Sequence, residues 1–171
     1  MDTVLAIASR REVRDYRPDP LPDELVVRFL EAARVAGSGR NRQPVRFVVV
    51  RNRALLDELA GTVSRASNVL GAPLLIALST QGGGNVDFDA GRSAQNMMLA
   101  AWDEGVGSCP NGFLDKPRAA KLLGVGPGQS PVIGITFGFP ARTRRPERHS
   151  AEAWLARANR LPLDDLVLGW R

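Results

Sequence analysis

Apolar and polar residues along the chain follow the two repeat patterns that distinguish amphipathic helices from buried strands. Strands are predicted over residues 46–50, 73–79 and 131–137, where short apolar runs are β-branched or leucine-rich. Helices are predicted over residues 3–10, 22–36, 54–60, 87–104 and 116–123. In the second of these helices, Pro22 and the acidic Asp23 and Glu24 occupy the first turn, and Gly37 follows the last helical position.

The order of these elements indicates an α/β or α+β fold, because strands alternate with helices. The proline-rich segment at residues 14–22 is predicted to be extended, since proline disfavours the helical conformation in the residue before it. Glycines at positions 82–84 predict a flexible loop, and Gly105 is expected to end the long helix. No repeat or linker divides the chain, so residues 1–171 are expected to form one domain.

Composition excludes several classes of protein. The chain has 171 residues, of which 44% are hydrophobic and 24% charged, as in ordinary globular domains. No apolar run approaches the ~20 residues of a membrane span, and no basic segment precedes the short N-terminal apolar stretch. We therefore predict no membrane association and a cytoplasmic location. A single cysteine, Cys109, and a single histidine, His149, argue against a disulfide, a metal centre or a histidine-based triad.

The net charge of +5 favours an anionic partner such as a phosphorylated cofactor, a nucleic acid or an anionic lipid. Arginines are concentrated near both chain ends, and the two groups either converge on one anion or form separate solvated patches. A stacking platform for nucleic acid is disfavoured, because aromatic content is 6% and few aromatic residues lie among the C-terminal arginines. These clusters comprise Arg10, Arg11, Arg14 and Arg17, and Arg142, Arg144, Arg145, Arg148, Arg157 and Arg160.

Four segments, in order along nearly the whole chain, resemble the nitroreductase family. The first is R-R-E-V-R-D-Y at residues 10–16, similar to the family's R-R-S-x-R-x-F/Y. The second is G-S-G-R-N-R-Q-P-V-R-F at residues 37–47, similar to P-S-x-x-N-x-Q-P-W-x-F. The third is the helix containing A-Q-N-M-M-L-A-A with G-V-G-S after it, and the fourth is G-I-T-F-G-F-P at residues 134–140, followed by R-L-P at 160–162.

The resemblance implies an α+β sandwich with a mainly antiparallel sheet flanked by helices, built as an intertwined homodimer. It implies FMN as cofactor and a ping-pong reaction. In this reaction a donor such as NADH or NADPH reduces the flavin at N5, and the flavin reduces a small organic acceptor such as a nitroaromatic or quinone. The cofactor carries the chemistry, so no catalytic side chain is expected. The apolar tail around Leu166 and Trp170 suits an exchanged arm between subunits.

The resemblance also assigns candidate cofactor contacts. Arg10 and Arg160, with Arg157 as a further candidate, are expected to bind the phosphate as guanidinium forks, and Arg14 is expected to reach the edge of the flavin ring. The 38–41 loop is expected to touch the flavin of the other subunit, although Asn41 and Gln43 have the alternative role of fixing backbone groups. Residues 109–113 are predicted to form a Pro-Asn-Gly turn along the ring, with the Gly112 N–H facing N5. The full set of candidates is Arg10, Arg11, Glu12, Arg14, Ser38, Gly39, Arg40, Asn41, Pro110, Asn111, Gly112, Arg157 and Arg160.

Two departures from the family pattern leave an alternative function open. Glu12 stands where the family usually has serine, and a carboxylate there repels phosphate unless Arg10 or Arg11 compensates. A relative that fragments flavin has an acidic residue at the matching position. The segment before the long helix also lacks the lid-forming insertion of many relatives. The alternative is therefore a flavin or deazaflavin carrier, or a flavin-modifying relative, without efficient NAD(P)H turnover.

Overall fold

The computed structural model describes residues 1–169 and contains helices on both sides of one sheet. No helix in this range is long and apolar enough to cross a bilayer. The helices are α1 (Thr3–Ser9), α2 (Asp23–Arg34), α3 (Arg53–Ala60), α4 (Ala66–Leu70), α5 (Val86–Asp103), α6 (Lys116–Leu123), α7 (Ala151–Ala156) and α8 (Leu163–Leu166), with 3₁₀ turns at Gly39–Asn41 and Pro146–Arg148. The strands are β1 (Val45–Val50), β2 (Leu74–Gln81), β3 (Gly107–Gly112) and β4 (Gln129–Gly138).

The strands form one antiparallel sheet in the order β1-β2-β4-β3. Strand β2 is central and buried from Leu74 to Thr80, which explains its continuous apolar sequence. Its neighbours are fixed in register by the pairs Val50↔Leu75 and Leu74↔Phe137. The mixed fold with an antiparallel sheet, which the resemblance implied, is confirmed.

Side chains of β2 alternate between two apolar clusters, as expected for a strand with both faces covered. On one face, Leu74, Ile76 and Leu78 pack with apolar residues of α2 and α5. Rings of Phe29 and Phe137 stack there with centroids 5.5 Å apart. On the other face, Leu75 and Ala77 pack with residues of α3, α4 and α6, including the buried residues Leu56, Leu59, Val69 and Ala119. The sheet is therefore the middle layer of a sandwich.

The segment Gly107–Gly112 corrects one prediction, because it is an edge strand and not a turn. Its sequence, G-S-C-P-N-G, has none of the β-branched residues that favour strands. It is a strand because β4 offers a free edge, with the two strands paired from Gly107↔Gly138 to Gly112↔Ile133. The short helices α4, α7 and α8 were also not predicted, since each is too brief to show a helical period.

The chain divides into two compact units. The central unit, residues 11–144, contains the sheet and both apolar clusters. The terminal unit joins residues 1–10 to residues 145 onward, and in it α1 packs against α7 and the Pro146–Arg148 turn. The indole of Trp154 donates to the Pro146 carbonyl at 2.7 Å. The single domain over 1–171 stays a prediction.

Candidate functional site

The start of the central unit is held against the ends of β3 and β4. The Val13 N–H donates to the Ser108 carbonyl at 3.0 Å, and Tyr16 forms an isolated bridge with Pro140. The Tyr16 hydroxyl donates to the Val13 carbonyl and lies 3.1 Å from Thr136 Oγ1. Burial raises the pKa of the Tyr16 phenol well above its ordinary value, so the hydroxyl remains a donor. The neighbouring candidates Arg11 and Glu12 are half-buried, whereas Arg14 is exposed.

Close packing between this segment and the sheet depends on two glycines that pair across the strands. A Cβ on Gly107 would lie 2.6 Å from Val13 Cβ, and one on Gly138 would lie 2.8 Å from Tyr16 Cδ1. Real Cβ atoms do not approach other atoms so closely, because carbon atoms repel one another well inside their optimal separation of about 3.5–4.0 Å. The paired glycines Gly107 and Gly138 therefore let the segment that bears Arg14 lie directly on the sheet.

Arg14 shares a cavity of about 220 Å³ with Arg142 and Arg144. The Ala141 N–H donates to the Asp15 carbonyl at 3.0 Å, which places Arg14 opposite Arg142 on neighbouring extended segments. Like charges directly opposite each other are unfavourable, and an anion between them removes the penalty. Sequence analysis placed Arg142 and Arg144 in a C-terminal cluster and did not select them, because only the pairing of residues 14–17 with 139–142 brings them to Arg14.

The loop after α2 contains four candidates, and its backbone is fixed by side chains around it. The Gln43 N–H donates to Ser38 Oγ at 2.8 Å. Arg40, Asn41 and Gln43 have positive φ angles of 54°, 54° and 49°, which are uncommon for residues with side chains. Gly39, Arg40 and Asn41 are exposed, and Ser38 is partly exposed. The loop therefore presents polar groups and backbone to solvent in a conformation that packing must maintain.

Two arginines anchor the same loop through its carbonyl groups. Arg92 Nη1 on α5 donates to the Gly37 carbonyl at 2.7 Å, and Arg42 Nε donates to the Gly39 carbonyl at 3.1 Å. Within the described chain, the side chains of Asn41 and Gln43 make no hydrogen bond that fixes this backbone. The Ser38 hydroxyl and the two guanidinium groups perform the structural role that was considered for Asn41 and Gln43.

Strand β3 carries the candidates Pro110, Asn111 and Gly112. The Asn111 side chain is buried, donating to the Cys109 carbonyl at 2.9 Å and accepting from Asn68 Nδ2 at 3.0 Å. It is therefore engaged inside the fold. Pro110 has no N–H, so it fits only where the backbone faces away from the ladder. Since strand backbone groups alternate in direction, the exposed Gly112 presents its N–H to the same outer edge as Pro110.

The terminal unit holds the remaining candidates, Arg10, Arg157 and Arg160. Arg10 caps the C-terminal end of α1 and is half-buried, and Arg157 caps the C-terminal end of α7. The Arg157 guanidinium is hydrogen-bonded to His149 Nε2. Arg160 is exposed, and its Nη1 donates to the Ala158 carbonyl at 2.8 Å. The terminal unit thus contains Arg10 from the N-terminal end together with Arg157 and Arg160 from the C-terminal end.

Comparison with known proteins identifies the family. The nitroreductase family model matches residues 7–85 and 62–139. A protein of Methanothermobacter thermautotrophicus, named provisionally as an NADH dehydrogenase/NAD(P)H nitroreductase, is 30% identical over 90% of this chain and 88% of its own length. An NADH dehydrogenase of Thermus thermophilus is 28% identical over 100% of this chain and 97% of its own. The chain belongs to the nitroreductase family.

A solved structure extends the match to the whole fold. A Desulfovibrio desulfuricans protein, named provisionally as a nitroreductase and crystallised in complex with FMN, superposes with a TM-score of 0.82 at 31% identity. The superposition covers 100% of this chain and 98% of that protein. The names of the relatives agree on oxidoreductase activity, which makes this chain an oxidoreductase of the same class.

Proposed function

We propose that this protein binds FMN and transfers hydride, through flavin N5, from a nicotinamide donor to a small organic acceptor such as a nitroaromatic or quinone. The observation that carries the proposal is the presence of Arg10 and Arg160, from opposite ends of the chain, in one compact unit. The relative that was crystallised with FMN, and the NAD(P)H-dependent names of other relatives, support the same assignment.

The donor set of the terminal unit fits a phosphate group. A flavin phosphate needs cations with planar hydrogen-bonding forks, and arginine supplies both. Arg10 and Arg160 are proposed as its ligands. Arg157 already donates to His149, so it has fewer free N–H groups and is proposed as a supporting contact. Arg11 and Glu12 belong to the other unit, and there Arg11 is proposed to offset the negative charge of Glu12.

Residues of the central unit fit the flavin ring. Three arginines, Arg14, Arg142 and Arg144, and one carboxylate residue, Asp15, line the same cavity, and its excess of positive charge is proposed to stabilise negative charge on a reduced ring. The Gly112 N–H is directed away from β4, and no atom lies within 4 Å of where a Gly112 Cβ would be. FMN, when bound, supplies hydride transfer at N5. Ser38, Gly39, Arg40, Asn41 and Pro110 are proposed to position the ring and exclude water around it.

A carrier function without efficient turnover is the second candidate, because one observation favours it. Only the short link from Gly82 to Asn85 connects β2 to α5, so the lid-forming insertion of many relatives is missing. Steady-state turnover with NADH or NADPH and a nitroaromatic acceptor separates the two functions. Rapid turnover identifies an oxidoreductase in the full sense, whereas a bound flavin that is reduced only slowly by both donors identifies a carrier.

The first prediction is that the purified protein is yellow and releases FMN when it is denatured. The guanidinium groups of the terminal unit are proposed to provide binding energy for the anionic phosphate of FMN. The measurement is the visible absorption spectrum followed by chromatography of the released cofactor. A colourless protein that also fails to bind added FMN would show that the proposed function is wrong.

The second prediction is that the protein is a homodimer. The terminal unit exposes most of its large apolar side chains, and its buried apolar residues include the small Ala6 and Ala8. A surface with so many exposed apolar side chains is unusual for a monomer, and burying it against a second subunit would stabilise the protein. The exposed residues are Val4, Ile7, Leu155, Leu161, Leu163, Leu166 and Leu168, while Trp170 lies outside the described residues. Sedimentation equilibrium at micromolar concentration tests the prediction, and a folded monomer that binds FMN would contradict it.

A further inference from the structure

A cleft of the central unit runs beside Ser38 and Gly39 and has a composition that the contacts proposed above do not explain. Its volume is about 480 Å³, within the range of small-molecule sites. The N-terminal part of α5 and the turn before it form one wall. Besides the two loop residues, it is bounded by Arg42, Gly84, Asn85, Phe88, Asp89 and Arg92.

Two of the bounding residues are arginines whose position is fixed by the fold. Arg92 donates one N–H to Gly37 and Arg42 donates one to Gly39, which restrains both side chains. A guanidinium has five N–H groups, so several donors remain on each. Neither arginine forms an ion pair with a carboxylate in the described part of the chain. Two restrained cations at one cleft favour an anionic ligand with planar oxygen atoms, such as a carboxylate.

The third feature is an aromatic ring that the fold leaves open. Phe88 is 67% exposed and lies with the Arg92 guanidinium 5.8 Å from its ring centroid. Large apolar side chains are ordinarily buried, and an aromatic face beside a cleft favours a flat ligand that can stack on it. The ring and the neighbouring cation together select for a planar group that carries negative charge.

The fourth feature is a buried carboxylate that faces the same cleft. Asp89 is 6% exposed, and its side chain makes no hydrogen bond or ion pair with any other residue in the described range. Its oxygen atoms are not among the fully buried side-chain atoms that lack a partner in the described residues, so they are open to the cleft. A ligand in the cleft that carries a hydrogen-bond donor therefore finds an acceptor in Asp89.

We propose that the cleft binds an aromatic carboxylate whose ring also carries a hydrogen-bond donor such as a hydroxyl or amino group. Arg42 and Arg92 bind the carboxylate, Phe88 stacks on the ring, and Asp89 accepts the hydrogen bond. Because Ser38 and Gly39 are also proposed flavin contacts, we assign the cleft to an acceptor of this class whose ring also carries a reducible group such as a nitro group, because the hydroxyl, amino and carboxylate groups serve only in binding. That last assignment rests on the proposed function, whereas the binding chemistry does not.

The third prediction is that the purified protein binds 4-hydroxybenzoate more tightly than the neutral 4-hydroxybenzyl alcohol, measured by isothermal titration calorimetry. Arg42→Gln is expected to weaken 4-hydroxybenzoate binding by about tenfold or more, as expected for loss of a charged hydrogen bond. Phe88→Ala is expected to weaken both ligands, and this exposed residue can be changed without disturbing the core. Asp89→Asn is expected to reduce the advantage of 4-hydroxybenzoate over benzoate.

The control is Arg28→Gln, which removes the same charge from an exposed position on α2 that pairs with Glu104. It is expected to leave both affinities unchanged. The proposal would be overturned if the acid and the alcohol bound with equal affinity, or if Arg28→Gln weakened binding as much as Arg42→Gln does. It would also be overturned if neither ligand bound at millimolar concentration because a second copy of the chain fills the cleft. Flavin content is measured on the same samples. If the protein is yellow and active but does not prefer 4-hydroxybenzoate over the alcohol, only the proposed ligand of the cleft is refuted. If the protein contains no flavin but shows this preference, only the proposed function is refuted.

Discussion

Replacing Gly107 with alanine is expected to lower the free energy of unfolding by about 1–3 kcal/mol, the usual range for overpacking a filled interior. The added Cβ would lie 2.6 Å from Val13 Cβ and less than 3 Å from both of its methyl groups. Val13 is 2% exposed and its N–H is bonded to Ser108, so its branched side chain cannot swing away. Urea denaturation, with the midpoint and slope fitted separately, measures the change.

The matched control is Gly91→Ala, the same substitution in the exposed surface of α5. Nothing lies within 4 Å of where this Cβ would be, and alanine favours a helix over glycine by roughly 0.5–1 kcal/mol. The control is therefore expected to raise stability slightly while Gly107→Ala lowers it. A loss below about 1 kcal/mol for Gly107→Ala, smaller than overpacking usually produces, would mean that the segment bearing Arg14 is free to move off the sheet.

Replacing Arg10 or Arg160 with alanine is expected to weaken FMN binding by roughly ten- to a hundredfold. A charged hydrogen bond contributes about 1.5–3 kcal/mol, and 1.4 kcal/mol corresponds to a factor of ten. Riboflavin lacks the phosphate, so its affinity should change little in either variant. Titration of the flavin-free protein with each flavin, followed by fluorescence, measures both affinities.

The choice of control follows from the structure. Arg144 is unsuitable as a control, because it lines the same cavity as Arg14, which is proposed to contact the flavin ring. Lys121→Ala removes one positive charge from an exposed position on α6 and is expected to affect neither flavin. Equal losses of FMN and riboflavin affinity in the Arg10 and Arg160 variants would mean that these arginines hold the fold or the ring instead of the phosphate.

The hydrophobic pattern was sufficient for the elements that bury a continuous apolar face. The predicted strand at 46–50 corresponds to Val45–Val50, and the predicted helix at 116–123 coincides with Lys116–Leu123. Strand β3 could not be predicted in this way, since a strand of glycine, proline and asparagine exists only because β4 pairs with it. The pattern describes what each segment buries, but it does not describe which edges the fold leaves available.

The same distinction between local pattern and tertiary contacts applies to the candidate site. Segments at both chain ends were recognised by resemblance, and the fold places Arg10 and Arg160 in one unit. The sequence did not indicate that Arg92 and Arg42 anchor one loop, because the two lie on separate elements and meet only through tertiary contacts. Asn111 was selected for its place in the chain, and its amide is instead turned inward to Asn68.

The link between β2 and α5 also bears on how this lineage can change. Gly82 and Gly84 have φ angles of 95° and 88°, and Gly82 and Gly83 have open space around them. A side chain added at Gly82 or Gly83 would meet no atom within 4 Å, and each doubling of loop length costs only about 0.6 kcal/mol in closure entropy. New residues would emerge beside Phe88 and Asn85, at the rim of the cleft. Insertions and deletions at this one position can therefore alter ligand range over evolution, or in engineered variants, while the sheet keeps its sequence.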